Sequence, residues 1–324
     1  MMNLALPLLE AIKPSARALK YFSLRSLAEW KIRTNRDRCH FLNPLPFAFI
    51  VSCGRSGTTI LGDFLGSHPQ VKYLYEPYYL WTAIDRQMDV HNLFERIDGR
   101  LLMDDRHVGE GSRERFDRLF RSQSKGDRSR LFVEKTPLNA LRIGYLEAIA
   151  PGAKFVHLVR DGVQVCHSIA RLATENEYKI AGKPALNQWW GVDSSKWKAL
   201  QRNGIEAGYY PEEAIALDSD LEKAAYEWLV TLHEIDRWRE PLGDRFYELT
   251  YSQFLDNPRS HLQQLCTFLE LDSPRSWLDE AVARIRSPKT PQQLHLKLPP
   301  AMARAFDDYQ KRYQFANLAE VKTE

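Results

Sequence analysis

Seven consecutive residues, Cys53-Gly54-Arg55-Ser56-Gly57-Thr58-Thr59, combine glycines, hydroxyls and one guanidinium in the composition of an anion-binding turn. They stand between the apolar run Phe47-Ala48-Phe49-Ile50-Val51 and a stretch whose Ile60, Leu61, Phe64 and Leu65 share one helical face. A strand that turns directly into a helix aims backbone N–H groups and the helix N-terminus at one point, which suits a phosphate or sulfate group. The glycines allow close backbone approach, Thr58 and Thr59 add hydroxyl donors, and Arg55 adds a positive charge with bidentate geometry. The nucleoside-triphosphate loop G-x-x-x-x-G-K-[ST] does not fit, because Thr58 stands where its lysine should be and only two residues separate Gly54 from Gly57. A glycine turn that only reverses the chain is the plainer alternative.

Two more islands carry charge. Phe155-Val156-His157-Leu158-Val159 runs into Arg160-Asp161-Gly162, with Ser168 eight residues after Arg160. An arginine ending a strand and a hydroxyl on the adjoining helix can reach one phosphate. Equally, Asp161 can cap the helix while Arg160 makes a surface ion pair. Glu134-Lys135-Thr136-Pro137 offers a carboxylate beside an ammonium, which also reads as an ion pair at a strand end. No His/Cys/Asp/Glu cluster has metal-ligand spacing, so no metal is expected, and His68, His157 and His167 read as core or helix histidines. A G-x-S-x-G elbow is absent, since Gly54-Arg55-Ser56-Gly57 has its second glycine one place early.

Taken in order, these islands resemble sulfotransferases that use 3′-phosphoadenosine 5′-phosphosulfate (PAPS). Arg55-Ser56-Gly57-Thr58-Thr59 is similar to that family's 5′-phosphosulfate loop, and the similarity continues through His68-Pro69 to Tyr75-Glu76-Pro77. The carbohydrate type, in a bacterial form, is the nearest likeness. The resemblance implies that Arg160 and Ser168 hold the donor's 3′-phosphate and that Lys135 contacts the donor near the transferred group. Cytosolic members follow their Lys-Thr with a catalytic histidine. Pro137 stands there instead, so the resemblance leaves Glu76 as the candidate base. Leu249-Thr250-Tyr251 is similar to a segment whose tyrosine lies near the adenine, although Ser252-Gln253-Phe254 replaces its acidic part. The likeness spans about residues 47–271.

The elements that must position these residues follow from the pattern. Apolar runs at 47–51, 154–159 and 246–250 read as buried strands, each followed by a helical stripe. The fold class is therefore α/β, a parallel sheet flanked by helices, with the family resemblance implying a P-loop-like sulfotransferase fold. Residues 1–44 form a basic helical arm and 45–315 the sulfotransferase domain, with an aromatic-rich insertion at about 171–221 over the carboxyl edge of the sheet. Most of its Trp189, Trp190, Trp197, Tyr209 and Tyr210 belong in the core, leaving one or two to line a pocket. The arm has Lys13, Arg17, Lys20, Arg25, Lys31, Arg33, Arg36 and Arg38 against Glu29 and Asp37. Its Leu19, Phe22, Leu24, Leu27, Trp30 and Ile32 have roughly helical spacing, which suits packing on its own domain or peripheral contact with a membrane.

A net charge of +3 over 324 residues predicts no general affinity for nucleic acid, and no apolar run approaches membrane-spanning length. With four dispersed cysteines, Cys39, Cys53, Cys166 and Cys266, and no secretion signal at the start, a cytoplasmic setting with reduced thiols is expected. The reaction that these readings assemble is in-line sulfuryl transfer from PAPS to an acceptor hydroxyl, with a carbohydrate or glycolipid favoured. Glu76 acts as base; Arg55, Lys135, Thr58 and Thr59 stabilise charge at the sulfuryl and leaving phosphate. A nucleotide-dependent kinase and a non-catalytic nucleotide-binding protein on the same fold remain the alternatives.

Overall fold

Phe47, Phe49 and Val51 point to one side of their strand and Ala48 and Ile50 to the other, and all five are buried. Such a strand has to lie inside a sheet covered on both faces. The computed structural model, which describes residues 5–35, 45–124, 130–175, 189–285 and 294–322, places it at the centre of a five-stranded parallel sheet. The strands β1 (Phe47–Val51), β2 (Val71–Tyr75), β3 (Leu131–Lys135), β4 (Lys154–Val159) and β5 (Phe246–Thr250) lie in the order β2-β3-β1-β4-β5. The register sets Phe49 beside Glu134 and Phe155, and Ile50 beside Lys135 and Val156. The sequence pattern finds β1, β4 and β5. It passes over β2, whose short run is interrupted by Lys72, and marks only the charged end of β3 at Glu134-Lys135.

Helices follow the strands in chain order: α1 (Ala5–Thr34) precedes β1; α2 (Thr58–Gly66) links it to β2; α3 (Tyr78–Ile84) and α4 (Ser112–Ser124) lead to β3, and α5 (Ile143–Ile149) to β4. After β4 come α6 (Gly162–Glu175), α7 (Ser195–Glu206), α8 (Pro211–Ala216) and α9 (Asp220–Leu242). After β5 come α10 (Tyr251–Asp256), α11 (Pro258–Phe268), α12 (Arg275–Ala283) and α13 (Pro300–Arg312), with a separate short pair β6 (Lys297–Leu298) and β7 (Glu320–Val321).

One face of the sheet is covered by an aromatic layer, in which Phe47 and Phe132 stack and Phe116, Phe120 and Trp81 join them from α4 and α3. Ala28 and Ile32 of α1 are buried in the same layer. On the other face Ala48, Ile50, Val133 and Val156 meet Leu61, Phe64 and Leu65 of α2 together with Phe254, Leu262 and Leu265. A third cluster joins α6, α7, α9 and α13. Asp161 caps α6 as its position suggests, its Oδ1 accepting from the Gln164 N–H at 3.1 Å.

Within the aromatic-rich stretch, Arg171 to Glu175 continue α6, and Asp220 and Leu221 open α9. Trp190 and Trp197 are buried edge to face, and Trp197 meets Tyr226 of α9. Residues 176–188 of that stretch lie outside the described residues, as do Arg36, Asp37, Arg38 and Cys39 of the arm, and the side chains of Lys13 and Arg17. Cys53, Cys166 and Cys266 are free and buried. No helix among the described residues is long and apolar enough to cross a membrane.

Candidate active site

A parallel sheet delivers its loops to the carboxyl ends of its strands, and ligands of open α/β folds bind there. Here every strand of the large sheet supplies residues to one cleft of about 230 Å³. Gly54, Arg55 and Gly57 to Ile60 follow β1, Tyr75 ends β2 and Glu76 follows it, Lys135 ends β3 with Pro137 just beyond, Arg160 follows β4, and Tyr251 follows β5.

The turn after β1 owes its shape to Gly57, the N-cap of α2, whose φ of 93° lies in the left-handed region. A Cβ built there would come within 2.5 Å of the Tyr251 ring. Gly57→Ala is therefore expected to cost about 1–2 kcal/mol from backbone strain alone and to push Tyr251 off the loop. Thermal unfolding and nucleotide titration would show a lowered Tm with weakened binding; an unchanged variant would mean the turn is not a rigid cradle. Gly54 answers to a different neighbour, since its added Cβ would meet Trp189 at 2.6 Å. Trp189 is itself fixed, donating its Nε1–H to Glu227 at 3.0 Å while the Lys196 ammonium sits 4.2 Å from its ring and pairs with the same carboxylate.

Glu134 and Lys135 are neighbours in the chain but not partners. Strand alternation sends them to opposite faces of the sheet. Glu134 turns into the aromatic layer, where it accepts from Trp81 Nε1, Asn139 Nδ2 and Thr136 Oγ1, and burial lifts its carboxyl to about 7. Lys135 turns towards α2 and donates to Glu76 Oε1 at 2.5 Å and to Thr59 Oγ1 at 3.0 Å, with its ammonium 4.2 Å from the Tyr75 ring. The Glu134–Lys135 ion pair is thus replaced by Glu76–Lys135, between the ends of adjacent strands β2 and β3.

Glu76 holds a left-handed φ of 39°, as Arg55 does at 71°. Non-glycine residues in that region cost energy and cluster at functional sites. Around Glu76 the backbone is tied from three sides: its N–H donates to Lys135 O at 2.9 Å, its carbonyl accepts from Tyr78 N–H at 2.8 Å, and Tyr21 of α1 donates its hydroxyl to the same carbonyl at 3.3 Å.

Arg160 braces the loop from the β4 side. Its Nη1 donates to the Arg55 carbonyl at 3.1 Å, its Nε and Nη2 hold Gln164, and its guanidinium lies 5.1 Å from the Tyr251 ring. Burial lowers its pKa, the nearby Arg55 charge adding to the effect. Arg55 in turn donates through Nε to Ser168 Oγ at 3.1 Å. Arg55, Gly57, Thr58, Thr59, Glu76, Lys135, Arg160 and Tyr251 therefore all line the cleft, whereas Ser56 is buried within the loop and Ser168 reaches the site through Arg55. The sequence reading did not place Ile60, Tyr75 and Pro137 on the cleft wall. Proximity to the motifs flags all three, and Trp189 is one of the aromatics of the 171–221 stretch, of which one or two are expected to line a pocket. His157 pairs with Glu248 and His68 with the Asp272 carbonyl, both away from the cleft lining, and no metal-holding group occurs among the described residues.

Comparison with known proteins points to one family. A family model described as "Sulfotransferase family" matches residues 46–275, more than half of the chain. No curated protein matches. Among solved structures, sulfotransferase STF9 from Mycobacterium avium has a TM-score of 0.50 at 12% identity, over 86% of this chain and 79% of that one, a likeness of fold. The sulfotransferase domain of the Synechococcus PCC 7002 olefin synthase has a TM-score of 0.46 at 17% identity, over 85% and 96%. Mouse sulfotransferase SULT7A1, solved with PAP, has 0.39 at 11%, over 74% and 65%.

Proposed function

This chain belongs to the sulfotransferase family, and we propose that it moves the sulfuryl group of PAPS to a carbohydrate or glycolipid hydroxyl, with Glu76 as general base. The observation that carries the reading is the convergence of Arg55, Glu76, Lys135 and Arg160 on one cleft beside a helix N-terminus. That set provides two kinds of function at once. Cations and N–H groups hold a polyanion, and a carboxylate stands beside them to take a proton.

In the transfer, the acceptor oxygen bonds to sulfur as the bond from sulfur to the bridging phosphate oxygen breaks. Glu76 takes the acceptor proton. Lys135, Arg55 and the hydroxyls of Thr58 and Thr59 stabilise the charge that gathers on the sulfuryl and leaving phosphate oxygens. Lys135 is placed to link the two halves of the step, since it touches both Glu76 and Thr59. Arg160 and Ser168 are assigned to the 3′-phosphate, and Tyr251 to the adenine side. Support for a sugar acceptor comes from Tyr75, 54% exposed at the cleft beside Glu76, because aromatic faces stack on sugar rings. Peripheral contact with a membrane through the N-terminal helix belongs to the same reading.

Calorimetric titration with 3′,5′-ADP (PAP) beside 5′-ADP tests the donor. PAP is expected to bind at least about tenfold more tightly, since it adds a charge-assisted contact to Arg160. Preference for 5′-ADP would turn the reading towards a kinase, and no binding of either would remove the donor site.

A further inference from the structure

Over its described side chains, from Leu19 to Thr34, the N-terminal helix α1 has one face packed into the fold and one turned outward. At about 100° per residue, Tyr21, Ala28 and Ile32 share the inner side. There Tyr21 stacks with Phe94 and packs edge-on to Tyr79, and Ala28 and Ile32 are buried against the sheet's aromatic layer. Leu19, Leu27 and Trp30 fall within about 80° of one another on the opposite side. They are 70%, 45% and 58% exposed. Exposed large apolar side chains gathered on one helical stripe mark an interaction surface more often than scattered ones do.

The charges around that stripe decide what fits it. Lys20 and Arg33 are exposed and Lys31 is half-buried. The one acidic residue on this stretch, Glu29, accepts from Arg25 at 2.9 Å and lies 3.8 Å from the exposed Arg33, and Arg25 also holds Glu95. What faces outward is apolar in the middle and cationic at the sides. A second copy of the same helix would bring like charges together. An anionic bilayer would accept both parts of the face, the leucines and indole entering the headgroup boundary and the lysines meeting lipid phosphates.

We propose that the outer face of α1, built on Leu19, Leu27 and Trp30 and flanked by Lys20, Lys31 and Arg33, docks the protein on an anionic lipid surface. This deepens the peripheral-membrane part of the reading above by naming the surface and the lipid charge. The same helix touches the Glu76 carbonyl through Tyr21, so the docking element also braces the backbone of a residue that lines the cleft.

Flotation of the full chain with vesicles tests this directly, comparing phosphatidylcholine alone with phosphatidylcholine containing about one third phosphatidylglycerol. Partition is expected to be at least about tenfold stronger on the anionic vesicles and to fall with added salt. Leu27→Asp with Trp30→Asp should lose about tenfold or more, and Lys20→Glu with Lys31→Glu should bring anionic vesicles down to the neutral level. All variants should keep wild-type circular dichroism and PAP affinity. Absence of wild-type binding to anionic vesicles, or unchanged binding by both variants, overturns the proposal. So does a wild-type dimer that Leu27→Asp with Trp30→Asp makes monomeric, since the face then belongs to a second copy. Vesicle binding lost with PAP selectivity intact sinks this inference alone; PAP selectivity missing with vesicle binding intact sinks only the donor reading.

Discussion

Glu76→Gln is expected to lower sulfuryl transfer by about 10²–10⁴-fold while leaving PAP affinity within a few-fold of the parent, the usual range for loss of a general base. The substitution keeps the size of the side chain and an oxygen that can still accept from Lys135, whose Nζ lies 2.5 Å from Glu76 Oε1. It removes only the charge and the ability to take a proton. Because Lys135 then faces the cleft without its anionic partner, anion binding should hold or strengthen. The two effects thus run in opposite directions, which separates a lost base from a collapsed site. Labelled sulfate transfer from PAPS and calorimetry with PAP measure them separately. Near-normal turnover in the variant would show that the base lies elsewhere, and loss of PAP binding together with turnover would make Glu76 a structural partner of Lys135.

Arg160→Ala carries the second large effect, on the donor. A hydrogen bond to a charged group contributes roughly 1.5–3 kcal/mol, so PAP should weaken by about 10- to 100-fold. The affinity for 5′-ADP, which lacks the 3′-phosphate, should change much less, and the preference for PAP should collapse. Arg160 also braces the Arg55 carbonyl and covers Tyr251, which supplies a second possible cause for weakened binding. The comparison of nucleotides distinguishes the two. Equal losses for PAP and 5′-ADP would assign Arg160 to bracing the loop and withdraw it from the 3′-phosphate.

The loop itself was legible in the chain because its chemistry is local. Gly54, Arg55, Gly57, Thr58 and Thr59 are contiguous, the apolar run before them is five residues of continuous burial, and the stripe after them has helical period. The strand β4 and its Arg160-Asp161 corner were visible for the same reason. The strand β2 was not, and of β3 only the charged end was, because VKYLY and LFVEK mix charged residues into runs of five. Charges of that kind are tolerated inside a sheet only when partners arrive from other elements, and period alone does not reveal the partners.

By itself the sequence determined the glycine turn between strand and helix, the parallel α/β class and the order of the charged islands, since short-range pattern and backbone chemistry suffice for each. The tertiary structure alone decided how those islands are paired. Lys135 leaves its neighbour Glu134 for Glu76, 59 positions away, because alternate residues of a strand face opposite sides and β2 lies next to β3. Trp189 reaches Gly54, and Tyr21 of α1 reaches the Glu76 carbonyl, through packing between segments far apart in the chain. Nothing in local spacing encodes such contacts. They exist only once the sheet order has brought five strand ends, and the helix beside them, to one edge.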